Sequence, residues 1–169
     1  MDEIAAMIEP QIPSLRRYAL ALLREREAAD DLVQETLVRA LAGWHGRRSE
    51  GDLRAWLFTI ERNLFLRTVQ RRARMGSQLG AEVLDEIPDA SADPETPLGL
   101  RDVMSGIDAL PEEQRSVLLL VAVEELSYAE VADVLGLPLG TVMSRLSRAR
   151  ERMRCFMETG RIGFLRRVK

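Results

Sequence analysis

Arginine and short polar side chains crowd one stretch near the end of the chain, from Thr141 to Arg154. If that stretch is helical, Val142, Leu146, Ala149 and Met153 fall at i, i+4, i+7 and i+11 and make a buried stripe. The outward face then carries Thr141, Met143, Ser144, Ser147 and Arg148, with Arg145, Arg150, Arg152 and Arg154 on the flanks. Hydroxyls and guanidinium groups in this arrangement can hydrogen-bond phosphates and the guanine edges of a major groove. A solvated basic helix face has the same pattern, so the residues alone leave both uses open. Other chemistry finds little support. The one histidine, His45, sits among glycines, with no second His or Cys at metal-ligand spacing. Neither a G-x-x-x-x-G-K-[ST] phosphate loop nor a G-x-S-x-G nucleophile turn occurs. We therefore expect no catalytic residues, no metal and no cofactor.

The elements that must position that face are punctuated clearly. Pro111 suits a first helical position, and Glu112 with Glu113 favours the positive end of the helix dipole. The apolar run Val117 to Val123 predicts a helix buried on most sides. Ser127 with Glu130 three residues later is a capping box for the next helix. Gly136 ends that helix by adopting the left-handed conformation, Pro138 prevents its continuation, and a further helix is expected from about Gly140 to Met153. Two short helices joined by such a turn make a helix-turn-helix.

The first half is also helical by pattern. A helix is expected from Ser14 to Arg24. Val33, Leu37, Ala40, Leu41 and Trp44 form one face of a second, and Leu53, Trp56, Leu57, Ile60 and Leu64 one face of a third, so Trp56 reads as core. The glycine-rich GWHGRRSEGD separates these two, and no stretch alternates as a strand would. The expected fold is all-α, in two small helical domains over 1–75 and 101–169 with an acidic linker over 76–100.

Charge supports that division. The net charge is −3, but residues 1–75 balance at +2, residues 101–169 at +1, and residues 76–100 hold six acids without a single Lys or Arg. Three prolines in that stretch mark it as a linker rather than a folded element. The single cysteine, Cys155, permits no internal disulfide, and no apolar run approaches the roughly 20 residues needed to span a bilayer. The amino terminus lacks the basic-then-apolar pattern of a signal peptide. A cytoplasmic protein without membrane insertion is expected.

Beyond these patterns, LPEEQRSVLLLVAVEELSYAEVADVLGLPLGTVMSRLSRARERM resembles the fourth conserved region of extracytoplasmic-function sigma factors, of the sigma-70 family. ADDLVQETLVRALAGW followed by LRAWLFTIERNLFLRTVQRR is similar to their second region. The two blocks occur in family order, and from Ala29 to Met153 they span about three-quarters of the chain. The resemblance implies that Asp31, Gln34, Glu35, Leu37 and Val38 contact the clamp helices of core RNA polymerase, with the flap as the other polymerase site. It implies that Arg62 and Asn63 lie in a short loop capturing a flipped base of the minus-ten element, with Arg67, Arg71, Arg72 and Arg74 along the DNA backbone. We expect α-helical geometry to break near Asn63 for this reason, although the periodicity runs on through Leu64. Thr141, Met143, Ser144, Arg145, Ser147 and Arg148 would meet the minus-thirty-five element. Many family members carry Lys or Arg where this chain has Met143, which puts the sequence of that element in question. An anti-sigma factor is a further implied partner, covering the helix around Leu37 and Val38 and the face beside Val117 to Val123. Two rival readings are a sigma-like decoy that titrates an anti-sigma protein and a simple helix-turn-helix repressor; the latter leaves the first domain unexplained.

Overall fold

The computed structural model describes residues 2–47, 51–78 and 98–159, and all regular structure among them is helical. Eight α-helices are described: α1 (Asp2–Ile8), α2 (Ile12–Leu23), α3 (Arg26–Gly43), α4 (Leu53–Gln78), α5 (Leu98–Asp108), α6 (Glu112–Ala122), α7 (Tyr128–Leu135) and α8 (Leu139–Thr159). The first four helices form one unit and the last four, apart from the end of α7, another. The all-α expectation is met. The expected acidic linker falls largely outside the described residues, and the helices on either side run a few residues into it.

In the first unit each helix boundary has a local cause. Arg24 takes the left-handed conformation (φ 59°) and donates its backbone N–H to Leu20 O at 2.7 Å, closing α2. Two residues open α3 and α4 in the same way. The Glu25 carboxylate accepts from the N–H groups of Glu27 (2.7 Å) and Ala28 (2.6 Å), and Asp52 Oδ1 accepts from Arg54 N at 2.6 Å. The core between α2, α3 and α4 is built on Leu15, Tyr18, Leu32, Val33, Leu57, Phe58 and Phe65. Tyr18 and Phe58 meet edge-to-face, with centroids 5.4 Å apart at 87°.

That core differs from the expected stripes. On α4 the buried face includes Phe58, Glu61 and Phe65, while Trp56 and Ile60 sit at its edge, half-buried. Trp56 is therefore a rim residue: it packs edge-to-face on Trp44 at 6.2 Å, and the Arg47 guanidinium lies over both rings. On α3, Leu41 is exposed and Thr36 is fully buried instead. The Thr36 hydroxyl solves its own burial by donating to Leu32 O at 2.7 Å.

The second unit follows the expectation more closely. Pro111 precedes α6 by one residue rather than starting it, and its carbonyl accepts from Gln114 N and Arg115 N. The capping box forms: Ser127 N donates to Glu130 Oε2 at 2.7 Å, and Glu130 N to Ser127 Oγ at 3.2 Å. Gly136 is left-handed at φ 63°, and Leu137 N donates to Ala132 O at 2.9 Å. The helix after the turn extends to Thr159, longer than expected.

Helices α5 and α8 come close at Gly106. A Cβ there would lie 2.9 Å from the Phe156 ring and 3.0 Å from Met153 Cε. Gly106→Val is expected to cost about 1–3 kcal/mol through overpacking, read as a lower urea midpoint. Gly140→Ala, which meets nothing within 4 Å, should not lower it.

Candidate nucleic-acid and polymerase interfaces

In the first unit, α3 and α4 enclose a groove whose two walls carry opposite charge. Asp31 and Glu35 stand on the α3 side, and Arg67, Arg71 and Arg72 on the α4 side of a recess of about 370 Å³. The apolar floor includes Leu32, Leu64 and Phe65. Arg39 belongs to this groove and is ion-paired to Glu35 at 3.2 Å, one turn back on the exposed surface of α3. The family resemblance assigns Asp31 and Glu35 to one partner and the three arginines to another; the fold brings them around one groove. Gln34 and Val38 are exposed on the outer side of α3, and Leu37 is half-buried.

Arg39 and Arg67 also line a second recess of about 350 Å³, with Trp56, Ile60 and Asn63. Here the expectation of a broken helix is overturned. Helix α4 runs without interruption from Leu53 to Gln78. Buried Phe58 and Glu61 on one side of Asn63, and Leu64 and Phe65 on the other, fix the helical register through it. Successive helix residues point about 100° apart, so Arg62 and Asn63 do not act as a pair. Asn63 is exposed at the recess, whereas Arg62 is buried, with its guanidinium 5.3 Å from the centre of the Phe65 ring. Arg67, Arg71, Arg72 and Arg74 are all exposed, and 67, 71 and 74 share one face.

In the second unit, Val142, Leu146 and Ala149 are buried as expected and set the orientation of α8. Met143, Ser144, Ser147 and Arg148 consequently point outward, and Thr141 is half-buried. Two members of the set are engaged within the unit. Arg145 is ion-paired to Glu113 of α6 at 3.2 Å, and Ser144 Oγ donates to Thr141 O at 3.1 Å. Farther along, Arg154 bonds Glu151; that hydrogen bond, reinforced by the carboxylate's charge, pushes the guanidinium pKa further up.

Sequence reasoning missed Arg115. It is buried, and its guanidinium donates to three carbonyls at the end of α5: Ile107 O (3.1 Å), Asp108 O (2.9 Å) and Leu110 O (2.7 Å). The last carbonyls of a helix have no donor from the next turn; Ile107 O also accepts from Leu110 N at 3.1 Å, and the cation sits at the negative end of the helix dipole. Among the described residues no cluster of His, Cys, Asp and Glu could hold a metal ion. No described helix is long and apolar enough to cross a membrane.

Comparison with known proteins agrees with this arrangement of two helical units. Residues 8–61 match the family described as the Sigma2 domain of PhyR, and residues 100–153 match Sigma-70, region 4. The chain is 37% identical over 155 residues to the ECF RNA polymerase sigma factor EcfG of Rhodopseudomonas palustris, covering 90% of this chain and 83% of that protein. It is 36% identical over 146 residues to the ECF RNA polymerase sigma factor SigE of Mycolicibacterium smegmatis, where it spans 56% of the longer relative. Among solved structures, the sigma factor RpoE of Bartonella quintana, crystallised with the anti-sigma factor NepR, superposes with a TM-score of 0.78. The identity is 30%, covering 95% of this chain and all of the other. The chain belongs to the extracytoplasmic-function sigma factors of RNA polymerase.

Proposed function

We propose that this chain acts in the cytoplasm, directing core RNA polymerase to particular promoters and starting transcription there, while catalysing no reaction itself. The observation that carries this reading is the joint presence of two interfaces. One is the arginine row of α4 beside the Asn63 recess, and the other is the outward face of α8 after a helix-turn-helix. A repressor needs only the second. In this reading Asp31, Gln34, Glu35, Leu37 and Val38 of α3 meet the polymerase clamp, and the second unit meets the flap. Asn63 takes a base of the minus-ten element into its recess, and Arg67, Arg71 and Arg72 follow the strand's phosphates. Unpairing a base costs a few kcal/mol, so the contacts in the recess must repay it. Arg62, being buried, would reach DNA only if α4 unwound, so the base contact rests on Asn63. Thr141, Met143, Ser144, Arg145, Ser147 and Arg148 read the minus-thirty-five element.

The Bartonella relative is held by an anti-sigma factor, and we extend that mode of control, with release under stress, to this chain. A second reading is a decoy that titrates an anti-sigma protein; the match of residues 8–61 to the Sigma2 domain of PhyR, an anti-anti-sigma factor, favours it. Run-off transcription with core polymerase separates the two. A functional sigma factor yields a transcript from its promoter. A decoy yields none while still binding an anti-sigma protein.

Within this reading, Arg148→Ala is expected to lower affinity for the cognate minus-thirty-five duplex by about 1–3 kcal/mol, the worth of a guanine-edge contact. Binding to a scrambled duplex should change little. A phosphate contact would instead weaken both duplexes equally and reduce the salt dependence.

A further inference from the structure

Met143 differs chemically from its neighbours on α8. Ser144 bonds Thr141, Arg145 bonds Glu113 and Arg154 bonds Glu151. Met143 lies on the outward face with 51% of its surface exposed and no group able to bond a phosphate. Tyr128, from the first turn of α7, lines with it a recess of about 390 Å³ along α8. Leu146, almost fully buried, belongs to its lining, as do Ser147 and, about two and three turns beyond Met143, Arg150 and Arg154. The Glu151 carboxylate in the same lining is engaged by Arg154. The recess therefore combines apolar surface, the hydroxyls of Tyr128 and Ser147 and positive charge, along one edge of the face assigned to the major groove.

We propose that this recess is a specificity-determining subsite for thymine in the upstream promoter element. Resting on the reading of α8 as the recognition helix, the proposal names what that helix selects. The C5-methyl of thymine is the apolar group that unmodified base pairs display in the major groove. Met143 packs on that methyl, its flexible thioether following the base edge. Tyr128 closes the other side, and Arg150 neutralises a flanking phosphate. A Lys or Arg at this position would seek guanine or phosphate; Met rewards a methyl.

The test uses the full chain assembled with core polymerase. Selection from duplexes randomised over the upstream element should enrich a T·A pair at one or two positions. Deoxyuridine then replaces each enriched thymine, removing the methyl alone. For the parent chain, affinity should fall about fourfold at the contacted position, with an unchanged salt dependence. Met143→Ala, a change at an exposed site, should bind thymine and uracil duplexes alike. The proposal is overturned if the parent ignores the methyl at every enriched thymine, or if Met143→Ala keeps the same discrimination. If selection enriches no upstream element at all and Arg148→Ala has no effect, the recognition-helix reading falls as well.

Discussion

Phe58→Ala is expected to remove most of the stability of the first helical unit and leave the second intact. The Phe58 ring is fully buried and meets Tyr18 edge-to-face at 5.4 Å. Deleting it removes the buried ring and leaves a cavity, which costs about 3–5 kcal/mol in close-packed cores. A small domain is stable by only about 5–15 kcal/mol, and those at the lower end lose most of that margin. Denaturant unfolding followed by circular dichroism should show one transition moved to much lower urea and another in place. Run-off transcription should fail, because α3 and α4 lose the packing that forms their shared groove. Binding of an upstream duplex through α8 should persist. Phe58→Leu, which keeps most of the volume, should cost under about 1.5 kcal/mol. A single shared transition displaced by Phe58→Ala would show instead that the units do not unfold independently.

The prominence of Phe58 was hard to read from the chain. Helical periodicity on α4 favoured Leu53, Trp56, Leu57, Ile60 and Leu64, which is internally consistent. The buried face is turned toward Phe58, Glu61 and Phe65. A charged residue inside that face breaks the binary pattern, so any count of apolar positions drifts away from it. Trp56 departs from the expected core position for a related reason. Its size suggests core, but Trp44 and Arg47 give it an aromatic and cationic partner at the rim. Thr36 is the same case in small, since its hydroxyl bonds its own helix at Leu32 and so can be buried at little cost.

The second unit was more legible because its signals are local. A capping box, a left-handed glycine and a proline each act within four residues, and each does what its chemistry requires. The buried stripe of α8 then follows, and with it the outward set. Local signals could not reveal which outward residues are already engaged. Arg145, placed among the DNA contacts by position, is also ion-paired to Glu113 of α6. The break expected at Asn63 failed for the opposite reason. It came from resemblance against the periodicity, and the helix follows the periodicity.

Arg115→Met is expected to destabilise the second unit by about 3 kcal/mol, more than any surface change on α8. Hydrogen bonds from a charged donor contribute about 1.5–3 kcal/mol, and a buried acceptor left without its donor costs about 1–3 kcal/mol. Arg115 supplies the carbonyls of Ile107, Asp108 and Leu110 at once. Met has similar length and fills the space, so the loss isolates the hydrogen bonds from the packing. Water can solvate part of the end of α5, which holds the sum well below three separate penalties. Lys keeps the charge but not the planar fork, so Arg115→Lys should fall between the two. Hydrogen exchange locates the effect: amides of α5 should lose protection first, before those of α8. Because α5 and α6 both pack on α8, loosening α5 should weaken upstream duplex binding only in proportion to the unfolded fraction. If Arg115→Met melts with the parent and α5 keeps its protection, the guanidinium does not hold that helix end.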